Sequence, residues 1–156
     1  MTVREYLSQG YMLEQRIACD VRKAEAARTL AASIPSPRTD GIRVNTSPSG
    51  DAPFVRVLER VEAMEEQITE ELDLLLSLKE QMDRVIRSVP EESLRLLLAC
   101  RYMDHQSWPE IAEALRVSRS TVYAWHNAAL ARAVLPEAAI DIREIRGSTA
   151  LPVPAG

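Results

Sequence analysis

The sequence contains few aromatic, cysteine and histidine residues, and each shortage excludes a class of protein. Aromatic residues make up 4% of the 156 residues and hydrophobic residues 46%, mostly alanine and leucine, which favours helices over sheets. Two histidines and two cysteines without a CxxC spacing cannot form a local metal site or a disulfide framework. We therefore expect Cys19 and Cys100 to be buried or half-buried thiols in a reducing cytosol.

Long apolar runs and enzyme motifs are also missing. The N-terminus lacks an apolar signal core and no run of 18 apolar residues occurs, so we expect neither a secreted nor a membrane-spanning protein. The sequence has no P-loop, HExxH or G-x-S-x-G motif, and its many acidic residues fall on one heptad helix. We predict no enzymatic activity, no cofactor and no metal.

The net charge of −4 gives no overall indication of nucleic-acid binding. Residues 54–88 hold five basic and nine acidic side chains, so this stretch alone carries −4 and the rest sums to zero. Any basic surface must therefore be local.

The first helix is predicted to begin at a capping box. Thr2 and Glu5 have the spacing in which each side chain bonds the backbone N–H of the other, and the helix should run to about Ser33. Residues 35–53 are rich in proline, glycine and serine, which predicts either a flexible linker or a segment lying over the helices. The apolar stripe of the first helix comprises Val3, Tyr6, Leu13, Ile17, Ala24, Ala27, Ala31 and Ile34, with Gly10 and Asp20 as interruptions.

Two rows of apolar residues with heptad spacing follow the linker. The first row is unbroken, and only Glu71 interrupts the second row. This pattern predicts a helix of some 35 residues, about 50 Å long. Its seam needs a partner, which is the first helix in an antiparallel hairpin, the same helix of a second chain, or both in a four-helix dimer. The positions assigned to oligomerisation are Phe54, Val61, Ile68, Leu75 and Met82.

The C-terminal part predicts three short helices. The first should follow Pro90 and reach Tyr102 or Met103, and Ser107 should cap a second helix of eight or nine residues. Ser118, about three residues beyond that helix, should cap the third. Short helices joined in this way, with an apolar residue in the turn, indicate a helix-turn-helix. The inner face of the third helix is predicted as Val122, Trp125, Ala129 and Ala133.

Residues 107–123, SWPEIAEALRVSRSTVY, resemble region 4, the C-terminal DNA-reading domain of bacterial sigma factors. That family shows an S-x-x-E-I-A-x-x-L pattern, then Ser-Arg, here at 118–119, and a trailing Ala-Leu, here at 129–130. The match covers about Val89 to Val134, and it implies a helix-turn-helix that binds double-stranded DNA beside RNA polymerase.

The chain as a whole resembles a family of small phage and prophage proteins described as transcriptional regulators. The similarity covers about residues 1–134 and includes the start MTVREYLSQ, QRI at 15–17, TSPSGD at 46–51 and the acidic heptad helix. It implies a regulator in the cytoplasm of a bacterial host.

Residues of the third helix are predicted to contact DNA in the major groove. We assign base contacts to Ser120, Thr121, Tyr123 and Asn127, and a phosphate or guanine contact to Arg119. The backbone N–H groups near Ser107 and Ser118 should bind phosphates.

We predict an all-α protein in which a long helical hairpin or coiled coil, residues 1–87, precedes a helix-turn-helix domain at 88–134 and a frayed tail at 135–156. The predicted function is sequence-specific DNA binding in transcription control, as a homodimer joined through the heptads. Two alternatives are a small terminase-type DNA-packaging subunit and an adaptor that binds RNA polymerase or another protein without binding DNA.

Overall fold

The computed structural model describes residues 1–34 and 52–145, and all regular elements in these ranges are helices. The predicted all-α class is confirmed for them. Most of the predicted linker and the tail beyond Ile145 lie outside the described residues, whereas Pro53 belongs to the second helix. The helices are α1 (Val3–Ser33), α2 (Ala52–Arg87), α3 (Glu92–Leu98), α4 (Trp108–Leu115), α5 (Arg119–Arg132) and α6 (Ile142–Ile145), with a π-helical segment, Ala99–Met103, directly after α3.

The chain divides into two compact units, each with parts of α1 and α2. The first unit, residues 15–73, contains the second part of α1 and the first part of α2. The second unit joins residues 1–14 to the chain from Leu74 onward, so it contains the start of α1, the end of α2 and the predicted helix-turn-helix.

In the 15–73 unit the two helices run antiparallel. Arg28 pairs with Glu65, and Arg16 Nε lies 3.8 Å from Glu71 Oε2, so rising numbers in α1 face falling numbers in α2. Glu71, the residue that interrupts the apolar row, is only 7% exposed and accepts a 3.0 Å hydrogen bond from Gln67 Nε2. Burial raises the pKa of its carboxyl, and the neighbouring carboxyl of Asp20 adds to that rise.

In the other unit the start of α1 packs on the end of α2. The predicted cap is present, since Thr2 N donates to Glu5 Oε2 over 2.7 Å and Glu5 N to Thr2 Oγ1 over 3.2 Å. Gly10 allows a close approach, because a β-carbon there would lie 3.2 Å from Met82 Sδ. The core includes the fully buried Tyr6, Leu7, Leu13, Leu78, Met82, Leu97, Leu98 and Ile111.

The five heptad residues assigned to oligomerisation differ in burial. Val61 and Met82 are buried within the chain, which leaves them little surface for another copy. Phe54, Ile68 and Leu75 are half-buried, so part of each remains accessible. An interface between chains through these positions remains a proposal.

Candidate nucleic-acid interface

The helix-turn-helix is formed by α4, a three-residue turn and α5. Ser107 begins α4 with the predicted capping box, in which Glu110 N donates to Ser107 Oγ over 3.3 Å and Ser107 N to Glu110 Oε2 over 3.1 Å. The helix has the predicted length of eight residues. The capping box therefore fixes the residue at which α4 begins.

The turn between the helices requires a left-handed residue, and Arg116 takes that conformation with φ 58° and ψ 44°. The next residue, Val117, donates its N–H to Ala112 O over 3.0 Å and so satisfies a carbonyl at the helix end. Glycine adopts this backbone region without steric cost, so the β-carbon of Arg116 strains the turn.

Ser118 caps α5 and fixes its direction. Its Oγ accepts a hydrogen bond from Thr121 N over 3.2 Å and lies 2.9 Å from Thr121 Oγ1 and 3.1 Å from Ser120 Oγ. The N–H groups of the first turn remain at the positive end of the helix dipole, where anions are favoured.

The inner face of α5 differs from the prediction at one position. Val122, Ala129 and Ala133 are buried as predicted, but Trp125 is only half-buried and the neighbouring His126 is 5% exposed. The predicted place of Trp125 on the inner face was therefore wrong. The buried residues follow the spacing i, i+4, i+7, i+11, which fits a helix of 3.6 residues per turn as well as the predicted spacing does.

His126 is held in a small aromatic cluster. Its Nε2 lies 2.7 Å from Tyr102 Oη, and its ring meets the edge of the Trp108 ring with 4.7 Å between centroids. Burial lowers the pKa of His126 to about 4, and the positive charges of Arg4 and Arg101 contribute to the shift. The imidazole is therefore neutral at pH 7 and packs against the rings of Tyr102 and Trp108.

The connection before α4 contains two features that the sequence did not indicate. Residues 99–103 form a π-helical segment, and His105 after it has a positive φ of 55°. His105 Nε2 lies 2.6 Å from Glu14 Oε2, and Glu14 also pairs with Lys79. His105 therefore ties this turn to α1.

The outer face of α5 carries the predicted DNA-contacting side chains. Ser120 and Asn127 are exposed, Thr121 is half-buried, and Tyr123 is 48% exposed. The Tyr123 ring lies 5.6 Å from that of Trp108, so the contact joins the start of α4 to this face. The caps Ser107 and Ser118 and the cation Arg119 are exposed as well.

The arginines near the helix-turn-helix fall into two groups. Three are engaged: Arg95 donates to Val89 O and Pro90 O, Arg132 pairs with Glu91, and Arg101 lies 4.2 Å from the Trp108 ring centroid. Within residues 1–34 and 52–145, the side chains of Arg116 and Arg119 make no ion pair or hydrogen bond. Both free guanidinium groups lie at the turn and the start of α5, and the sequence analysis did not assign Arg116 a role.

The segment after α5 is docked, which differs from the predicted frayed tail. Val134 N donates to Ser88 Oγ over 3.1 Å, and residues 138–142 bind the side-chain amides of Gln9 and Gln81. Tertiary hydrogen bonds of this kind leave no local pattern. A weak signal exists in Gln9, a polar residue that follows Tyr6 by one helical turn on the apolar stripe.

The sequence that forms α3, α4 and α5 is similar to a domain found in other proteins. Residues 90–133 match the Homeodomain-like domain family. The match spans less than a third of the chain and contains both helices, the turn and α3. The chain therefore contains a helix-turn-helix domain of the DNA-binding kind. No curated protein and no solved structure matches the chain.

Residues 1–34 and 52–145 offer neither of two other kinds of site. No three His, Cys, Asp or Glu side chains among these residues lie close enough together to hold a metal ion. None of the described helices has the length and apolar character needed to cross a membrane.

Proposed function

We propose that the chain is a sequence-specific DNA-binding regulator of transcription that uses α5 as its recognition helix. The observation that carries the proposal is the outer face of α5, where Ser120, Tyr123 and Asn127 are exposed. Next to them lie Arg116 and Arg119, which form no ion pair with the residues that the structure describes. Hydroxyl and amide groups bind base edges, whereas guanidinium groups bind phosphate or guanine. No enzymatic step is part of this function.

The charge distribution supports the assignment of roles. Arg116 and Arg119 lie at the start of α5, where the helix dipole also favours a phosphate. Ala124, exposed on the same face, offers only a methyl group, which suits thymine. The face therefore has few strong base contacts, and a single copy should bind weakly.

Dimerisation would compensate for this weakness. We propose that two chains associate through the accessible parts of Phe54, Ile68 and Leu75 and bind two half-sites together. The resemblance to sigma region 4 and to phage-encoded regulators supports transcription control as the biological setting, with RNA polymerase as a further partner.

Selection of bound sequences from random duplex DNA, followed by a salt titration of the selected site, tests the proposal. We expect one enriched motif with two-fold symmetry and an affinity that falls with salt as phosphate contacts are lost. Enrichment without any motif would contradict sequence-specific binding. Failure to bind at low salt would favour the protein adaptor, and assembly into rings would favour the packaging subunit.

Two matched arginine variants assign the interface. Arg119→Ala should lower affinity for all duplexes and reduce the salt slope by about 1, because one phosphate contact is lost. Arg87→Ala removes the same charge from α2, where Arg87 pairs with Asp83, and should leave the slope unchanged. Equal effects of the two changes would mean that α5 does not face the DNA.

A further inference from the structure

Gln9 and Gln81 bind the backbone of the segment that follows α5. Gln9 Nε2 donates to Ile140 O over 2.9 Å, and Gln9 Oε1 accepts from Ile142 N over 2.8 Å. Gln81 Nε2 donates to Ala138 O over 3.0 Å, and Gln81 Oε1 accepts from Ile140 N over 2.9 Å. Each amide therefore contacts the C=O of one residue and the N–H of the residue two further on.

The contacts fall on alternate residues of a short connection, in which residues 139–141 lie between a turn at 137–138 and the start of α6 at Ile142. Two amides at this spacing bind one edge of the backbone at 138, 140 and 142, and no side chain of the segment takes part in these four hydrogen bonds. The contacts specify main-chain groups on alternate residues and exclude proline at positions 140 and 142, where an N–H is needed.

The two glutamines are themselves fixed in place. Gln9 is 7% exposed and its Nε2 also donates to Tyr6 O over 3.1 Å, while Tyr6 Oη donates to Gln81 Oε1 over 2.8 Å. The low exposure of Gln9 includes the cover given by residues 138–142, which complete the hydrogen bonding of its amide. Tyr6 therefore orients both amides toward the segment.

We propose that Gln9 and Gln81 form a binding site for peptide backbone, that residues 138–142 of this chain are its ligand, and that the occupied site holds the C-terminal end of α5. The last part rests on the proposed function, in which α5 contacts DNA.

The connection to α5 is short. The helix ends at Arg132, Ala133 is buried, and Val134 N already donates to Ser88 Oγ. Arg132 also pairs with Glu91. An occupied site thus anchors the chain within a few residues of the recognition helix, so that Gln9 and Gln81 act as positioning residues for α5.

A peptide-binding measurement on the full chain tests the site directly. The variant Ile140→Pro/Ile142→Pro removes both N–H donors and frees the glutamines, and the probe is a fluorescent peptide of residues 137–145. We expect saturable binding by the freed chain. Binding should be about tenfold weaker in the wild-type chain, whose site is filled, and more than about a hundredfold weaker when Gln9→Ala/Gln81→Ala is added to the freed chain, because four hydrogen bonds are lost.

Backbone methylation supplies the matched control. Methylation of the probe at Ile140 N or Ile142 N should lower its affinity about tenfold for each lost hydrogen bond. Methylation at Asp141 N, which donates no hydrogen bond within residues 1–34 and 52–145, should leave the affinity unchanged. No binding by the freed chain with its helical circular dichroism intact, or equal effects of all three methyl groups, would overturn the proposal.

Hydrogen exchange on the wild-type chain keeps the test decisive if the proline variant does not fold. The backbone amides of Ile140 and Ile142 should exchange slowly and that of Asp141 fast. Gln9→Ala should speed exchange at the Ile142 amide and leave that of Ile140 unchanged. Uniformly fast exchange would overturn the site.

A DNA measurement tests the positioning role separately. The freed chain should bind the selected duplex more weakly than wild type, and the peptide should restore affinity. If the peptide binds but no variant binds DNA, the proposed function fails while the peptide site stands. If the peptide binds and DNA affinity does not change, the positioning role fails.

Discussion

Tyr102 Oη and His126 Nε2 share a 2.7 Å hydrogen bond that joins the π-helical segment to α5. Both side chains are buried, and burial raises the pKa of Tyr102 while lowering that of His126. A neutral histidine therefore joins α5 to the π-helical segment, and protonation should disturb this contact.

Acid should destabilise the domain through His126. The unfolded chain protonates His126 near pH 6.5, whereas the folded chain does so near pH 4, so stability is complete above 6.5 and declines as the pH falls towards 4. The loss is about 3 kcal/mol at most. Urea unfolding at several pH values measures it. Tyr102→Phe/His126→Phe should abolish this dependence, Tyr102→Phe alone should retain it, and an unchanged slope in the double variant would contradict the assignment.

Replacing Arg116 by glycine should stabilise the domain. The left-handed conformation with φ 58° is strained by a β-carbon, and its removal should raise the free energy of unfolding by about 1 kcal/mol. Arg116→Ala keeps the β-carbon and removes the same charge, so it serves as the control. Thermal unfolding of both variants distinguishes them, and equal melting temperatures would show that the turn is not strained.

The sequence predicted the features that depend on neighbouring residues. The caps at Thr2, Ser107 and Ser118 involve residues three apart, so a short window contains all partners. The exchange of Trp125 for His126 in the core could not be foreseen, because periodicity allows both and tertiary packing decides. The docking of 138–142 depends on Gln9 and Gln81, which lie more than fifty residues away.

Glu71→Gln should stabilise the 15–73 unit at neutral pH. Burial raises the pKa of Glu71, so its contribution is most favourable below the unfolded value of 4.5 and is lost as the pH rises through the folded value. Glutamine keeps the size without the charge, and the gain at pH 7 should be about 1 kcal/mol. Chemical unfolding at pH 7 and at acid pH checks this.

The neighbouring exposed position supplies the control for that change. Glu70→Gln removes the same charge from the surface of α2 and should alter stability little at either pH. If Glu71→Gln instead destabilises the unit at pH 7, then the attraction to Arg16 over 3.8 Å outweighs the cost of burying the carboxylate.

Ser118→Asp should separate the structural role of the cap from its role in binding DNA. Aspartate caps a helix as well as serine does, so unfolding should change by less than about 0.5 kcal/mol, whereas Ser118→Ala should cost about 1 kcal/mol. The carboxylate would lie where we place a phosphate, so Ser118→Asp should weaken DNA binding at least about tenfold. Unfolding and duplex titrations on both variants give the answer. If the DNA affinity of the two variants follows their free energy of unfolding and not the added negative charge, then no phosphate approaches the start of α5.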